Sequence, residues 1–222
     1  MTSTLLYRFG ALCGALYVVL AILANDVLAN LGPDSTATNE EIGAWFRANP
    51  ATTRDWAVAY VEVVAGLALL VFVVWLGWLL RRADGDRTWL PGVAVGAGLV
   101  SVALKIGSGP AMFAAMWRAD DGLSDELAAV LVDMTGAAFV LTWALDALML
   151  AAAGAVIVMT RCAPRWLGWS ALAIAALSMV AVATPSAPFG FLLALLWFVV
   201  AGVTLAWRGA PESAATPRPA TA

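Results

Sequence analysis

Apolar residues run in six long stretches, at about 7–29, 56–80, 90–117, 127–159, 166–183 and 189–207, and polar residues gather between them. Each stretch has the length that a membrane-crossing helix needs, about 17–25 residues or more. The pattern predicts an all-α, polytopic membrane protein with six transmembrane helices in a single domain over 1–209. The remaining residues, 210–222, are rich in Pro, Ala and Thr. Such a segment buries too little apolar surface to order itself, and a disordered cytoplasmic tail is expected.

One polar insertion has a pattern of its own. In "TNEEIGAWFRANP" at 38–50, Thr38 and Glu41 are spaced as a capping box, and Asn49-Pro50 supplies a stop. Ile42, Trp45 and Phe46 then share one face of a short amphipathic outer helix. Such a helix either lies at the outer lipid surface or lids the bundle.

Charge fixes the expected orientation. Arginines 8, 81, 82, 87, 161, 165, 208 and 218 fall at the N-terminus, in the second and fourth connections and in the tail, whereas Arg47, Arg54 and Arg118 fall on the other side. The positive-inside rule then makes both termini cytoplasmic, in agreement with an even number of spans. Tryptophans mark the expected membrane edges, Trp56 and Trp117 on one side and Trp75, Trp78, Trp89, Trp166, Trp169 and Trp207 on the other. Arg8, the apolar run after it and "VLAN" at 27–30 also have the outline of a signal peptide ending at Ala29, but an uncleaved span is the expected state.

Composition narrows the chemistry. The chain is 63% hydrophobic and 12% charged, with a mean hydropathy of +0.88, well outside the soluble range. A net charge of −3 gives no basic surface for nucleic acid. Histidine is absent, which removes bis-histidine haem, common zinc and copper sites and the commonest general base. Cys13 and Cys162 are too far apart in environment to form a metal set or a disulfide framework and are expected as free thiols. No metal, cofactor or catalytic residue is expected, and the chain is not expected to be an enzyme. The arginine, alanine and tryptophan bias suits a GC-rich bacterial genome and hence a plasma membrane.

The polar exceptions inside the spans carry the functional question. Lys105 is the sole lysine and sits in "LVSVALKIGSGPAMF" at 99–113. Counted at about 1.5 Å per residue from the cytoplasmic helix ends, Lys105 and Asp146 both lie about 22 Å up, with Asp26 and Glu62 about 27 Å up. Asp133 counts to about 42 Å and belongs at the outer interface. A charge at mid-bilayer costs at least about 2.5–3.5 kcal/mol and should turn inward to a partner. Lys105 is therefore expected to meet Asp146, with Glu62 as the second candidate. Three carboxyls against one ammonium leave an excess, so one of Asp26, Glu62 and Asp146 should hold a proton, or the cluster should open to water or a cation.

Beside this cluster Pro110 cannot donate to the carbonyl of Ile106, and with Gly107 and Gly109 it predicts a helix break. Gly10 with Gly14, and Gly92 with Gly96, form GxxxG pairs consistent with close packing of the first and third spans. Three readings follow: a structural ion-pair network, a small proton- or cation-coupled transporter or channel, or a non-catalytic module that binds lipid or a protein partner. A homo-oligomer is compatible with any of them.

The order of "NEEIGAWFRANP", a span ending "WLGWLLRRADG", the loop "RCAPRWLGW" and the terminal "APFGFLLALLWFVVAG" resembles an uncharacterised bacterial family of six-span integral membrane proteins. The resemblance covers nearly the whole chain and implies six spans. It implies no activity, ligand or site residue, because that family has none assigned.

Overall fold

The computed structural model describes residues 2–28, 32–33, 36–184 and 189–209, and among them the fold is all-helical. Helix α1 is Thr2–Ile22, continued by a π-helical turn at Leu23–Leu28. Then come α2 (Asn39–Ala48), α3 (Thr53–Asp84), α4 (Leu90–Arg118), α5 (Asp125–Thr160), α6 (Arg165–Ala183) and α7 (Phe189–Arg208). All of these except α2 are long and apolar enough to cross a membrane.

Local chemistry explains the helix ends. At Thr52 the backbone N–H and the hydroxyl both donate to the Asp55 carboxylate, at 2.7 and 2.6 Å, which starts α3. Gly85, in the left-handed region at φ 60°, ends it by donating its N–H to the Arg81 carbonyl. Arg161 closes α5 in the same way, at φ 58°. A non-glycine residue tolerates that conformation there because its N–H gains the Ile157 carbonyl at 2.8 Å.

Side-chain contacts show how the long helices are arranged. Gly10 and Gly14 of α1 face Trp75 and Phe72 of α3, a descending register that makes the pair antiparallel. Gly98 faces Val73 and Gly66 faces Ile106, so α3 and α4 are antiparallel as well. The same alternation continues through α5, α6 and α7, and Gly202 of α7 closes the ring against the backbone of Ala11. The result is an up-and-down ring of six helices with both described ends of the chain on one side. Phe72, Phe198, Leu69, Leu150 and Met149 fill its core.

Three expectations need correction. Trp75 does not present an exposed ring; it is only 9% exposed and packs on Gly10 and Tyr7, whereas Trp56, Trp78, Trp89, Trp117, Trp166, Trp169 and Trp207 are exposed. The GxxxG pairs do not join the first and third spans, because α1 and α4 do not touch among the described residues. Gly10 and Gly14 receive α3 instead, while a side chain at Gly92 or Gly96 would meet open space. Last, α4 is continuous through Gly107, Gly109 and Pro110, so no break interrupts it.

The capping box on α2 is present: Glu41 accepts the Thr38 N–H at 2.7 Å, and the Thr38 hydroxyl accepts the Glu41 N–H. Ile42 and Phe46 are buried and Trp45 is half-buried. They pack on Met116 and Ala119 at the end of α4 and on Ala128 and Ala129 of α5. The amphipathic helix is thus a lid on one end of the bundle, and its apolar face is turned into the protein. The 210–222 tail and Ala29 lie outside the described residues.

Candidate functional site

Ser101 and Lys105 stand one turn apart on α4 and face α5, where Asp146 lies at the same level. The Lys105 ammonium donates to Asp146 Oδ2 at 2.8 Å and to Ser101 Oγ at 2.6 Å. The Ser101 hydroxyl donates in turn to Asp146 Oδ1 at 2.6 Å. The three side chains form a closed triangle in which both carboxylate oxygens are occupied. The side chains of Lys105 and Asp146 are only 13% and 3% exposed.

The predicted partner of Lys105 is therefore the observed one. Ser101 was not anticipated, although its i, i+4 spacing from Lys105 was a usable signal. Glu62, the second candidate, makes no ion pair with Lys105. Asp26 falls in the π-helical turn after α1, and its side chain lies outside the described residues. Asp133 is exposed on α5.

Glu62 has a different setting. It borders a groove of about 850 Å³ between α3 and α4. Its carboxylate lies against the bare backbone of Gly109, where a Cβ would come within 3.7 Å. The Asn25 side chain, in the π-helical turn, donates to the Ala21 carbonyl at 3.0 Å. One wall of the groove is aromatic, with Trp56 5.5 Å from Phe113 and 5.4 Å from Trp117 between ring centres. Arg118 and Asp121 stand where α4 ends. Lys105 also borders the groove, but Asp146 does not.

The residues of the anticipated helix break have local roles. Gly109 leaves space for Glu62, and Pro110 borders the groove. Ser108 donates its hydroxyl to the Lys105 carbonyl at 3.2 Å, while the Thr135 hydroxyl of α5 has the Leu131 carbonyl at 3.0 Å and the Ser108 carbonyl at 3.4 Å. These bonds end on the Lys105 and Ser108 carbonyls and not on that of Ile106, which Pro110 leaves without its N–H donor. Gly107 meets open space.

Among the described residues no group of three or more Cys, Asp or Glu is placed to hold a metal ion. Cys13 and Cys162 are free thiols, as expected. Burial pushes the Cys162 thiol above its usual range, against opposing hydrogen bonds from Thr160 and the backbone. That suppresses the reactive thiolate.

Comparison with family models, curated proteins and solved structures finds no match. The roles of these residues consequently rest on their geometry.

Proposed function

We propose that this chain is a multi-pass protein of a bacterial plasma membrane, with both termini and the 210–222 tail cytoplasmic and the α2 lid outside. It acts as a non-catalytic binding module whose ligand enters the α3–α4 groove from the lipid phase. The Lys105–Asp146–Ser101 triangle is an architectural lock that fixes α4 on α5.

The observation that carries this reading is the self-sufficiency of the triangle. Asp146 has both oxygens hydrogen-bonded, is buried and does not border the groove. A carboxylate engaged in this way neutralises a cation in low dielectric, and a passing proton or metal ion would have to compete with the Lys105 ammonium for a buried group. The groove, by contrast, has the size and mainly apolar, aromatic lining typical of small-molecule sites, with few polar groups to orient a guest.

The competing reading, proton- or cation-coupled transport, draws on Lys105 touching both the triangle and the groove. Proteoliposomes separate the two. Asp146→Asn is expected to lower thermal stability while the decay of an imposed pH gradient, followed with an enclosed pH-sensitive dye, stays as in wild type. A wild-type flux that Asp146→Asn abolishes would overturn the architectural assignment.

A further inference from the structure

The charges around the groove do not cancel. Lys105 is committed to Asp146 at 2.8 Å, and at the end of α4 Arg118 and Asp121 offset each other in sign. Glu62 remains. Among the described residues no lysine or arginine lies within ion-pair distance of it. At about 1.5 Å per residue it stands about 14 Å along α3 from Thr53, well below the end of the helix.

A carboxyl at that depth either keeps its proton or takes a positive counter-charge, and a cation entering the groove would favour the ionised form. The groove around it is far larger than a bare ion requires, at about 850 Å³. Trp56, Phe113 and Trp117 present aromatic surface to whatever fills it. Aromatic faces attract cations, most strongly where water is excluded, and they also accept apolar bodies. A phospholipid suits the groove less well. With its headgroup at Arg118 and Asp121, its acyl chain would run down to Glu62 and leave the carboxylate in hydrocarbon.

From this juxtaposition we infer that the α3–α4 groove binds a lipophilic organic monocation, with Glu62 as counter-ion and Trp56, Phe113 and Trp117 as its aromatic wall. The inference rests on the groove being the ligand site proposed above and names the class of ligand. Gly109 lines the same groove beside the Glu62 carboxylate.

Three probes of similar shape test it: tetraphenylphosphonium (cation), triphenylphosphine oxide (neutral) and tetraphenylborate (anion). Equilibrium dialysis against the full chain in nanodiscs, with empty nanodiscs subtracted, measures each. Saturable binding of the phosphonium at least about tenfold tighter than the oxide is expected, with the borate weakest. Glu62→Gln should reduce phosphonium affinity about tenfold or more, to the level of the oxide, and Glu62→Asp should restore much of it. Trp117→Ala should weaken the cation by about 2- to 30-fold, the range of one cation–π contact. Equal binding of oxide and phosphonium, tighter binding of the borate, or an unchanged Glu62→Gln would overturn the cation assignment while leaving an apolar site. If none of the three binds, the groove is not a ligand site and both readings fall. The three-probe comparison on wild-type protein decides the matter even if a variant does not fold.

Discussion

Two ion pairs in this chain have nearly the same length and very different surroundings. Lys105 and Asp146 meet at 2.8 Å inside the α4–α5 seam, with side chains 13% and 3% exposed. Arg47 and Asp125 meet at 2.7 Å where the α2 lid touches the start of α5, with side chains 50% and 30% exposed. At equal separation the medium decides the energy. Coulomb attraction grows as the effective dielectric falls, but so does the penalty for leaving either charge alone. Ser101 completes the buried pair by donating to Asp146 Oδ1. For the lid pair water can do the same work.

The largest effect should come from opening the buried pair. Lys105→Met leaves the Asp146 carboxylate without its cation, and a broken buried pair costs about 3–5 kcal/mol. In purified protein that is a fall in melting temperature on the order of 10 °C. Lys105→Met combined with Asp146→Leu removes both charges and should recover most of the loss, because an apolar replacement of a whole pair is often neutral. A double variant as unstable as the single one would show that the pair does more than neutralise itself. Ser101→Ala should come next, at about 1.5–3 kcal/mol, the usual value of a hydrogen bond to a charged group.

Much of this was legible in the sequence. The six apolar runs gave the spans to within a few residues, because length and polarity are set by the membrane whatever the helices pack against. The Lys105–Asp146 pairing followed from equal depth and the cost of a bare charge. What could not be read was which helix faces which. Depth along a helix is a count, but direction around it depends on its neighbours. Hence Glu62, at nearly the right level, faces the groove rather than Lys105, and Trp75 packs inward on Gly10. The helix break failed for a related reason. Pro110 costs α4 one hydrogen bond, and α4 runs on through it because the remaining bonds of a long helix hold the turn on either side.

The glycines extend the contrast between sealed seams and open faces. A methyl at Gly154 would stand 2.7 Å from the Gly168 carbonyl, and one at Gly202 would stand 2.6 Å from the Ala11 carbonyl. Backbone cannot rotate away as a side chain can, so Gly154→Ala or Gly202→Ala must push a pair of helices apart, at about 1–3 kcal/mol. Gly96→Ala enters open space and should be neutral, or stabilising by up to about 1 kcal/mol through helix propensity. Thermal melts of the three variants check this. A Gly96→Ala loss matching the other two would place another element against that face of α4.

The lid supplies the sharpest test of the opening contrast. Gly43 lies beneath the Asp125 carboxylate, in space that a Cβ would occupy. Gly43→Ala therefore displaces Asp125 and tilts α2 off Ala128 and Ala129, which should speed protease cleavage near the lid and lower stability by about 1–3 kcal/mol. Arg47→Ala removes only the exposed half of the pair. Surface ion pairs are worth about 0.2–1 kcal/mol and weaken with salt, so the variant should melt close to wild type and the small difference should vanish at high ionic strength. The Lys105→Met loss should persist there, because ions do not reach Asp146 in its buried seam. Equal salt sensitivity at the two pairs would mean that water enters the α4–α5 seam, and Asp146 would then be open to exchange with protons or cations after all.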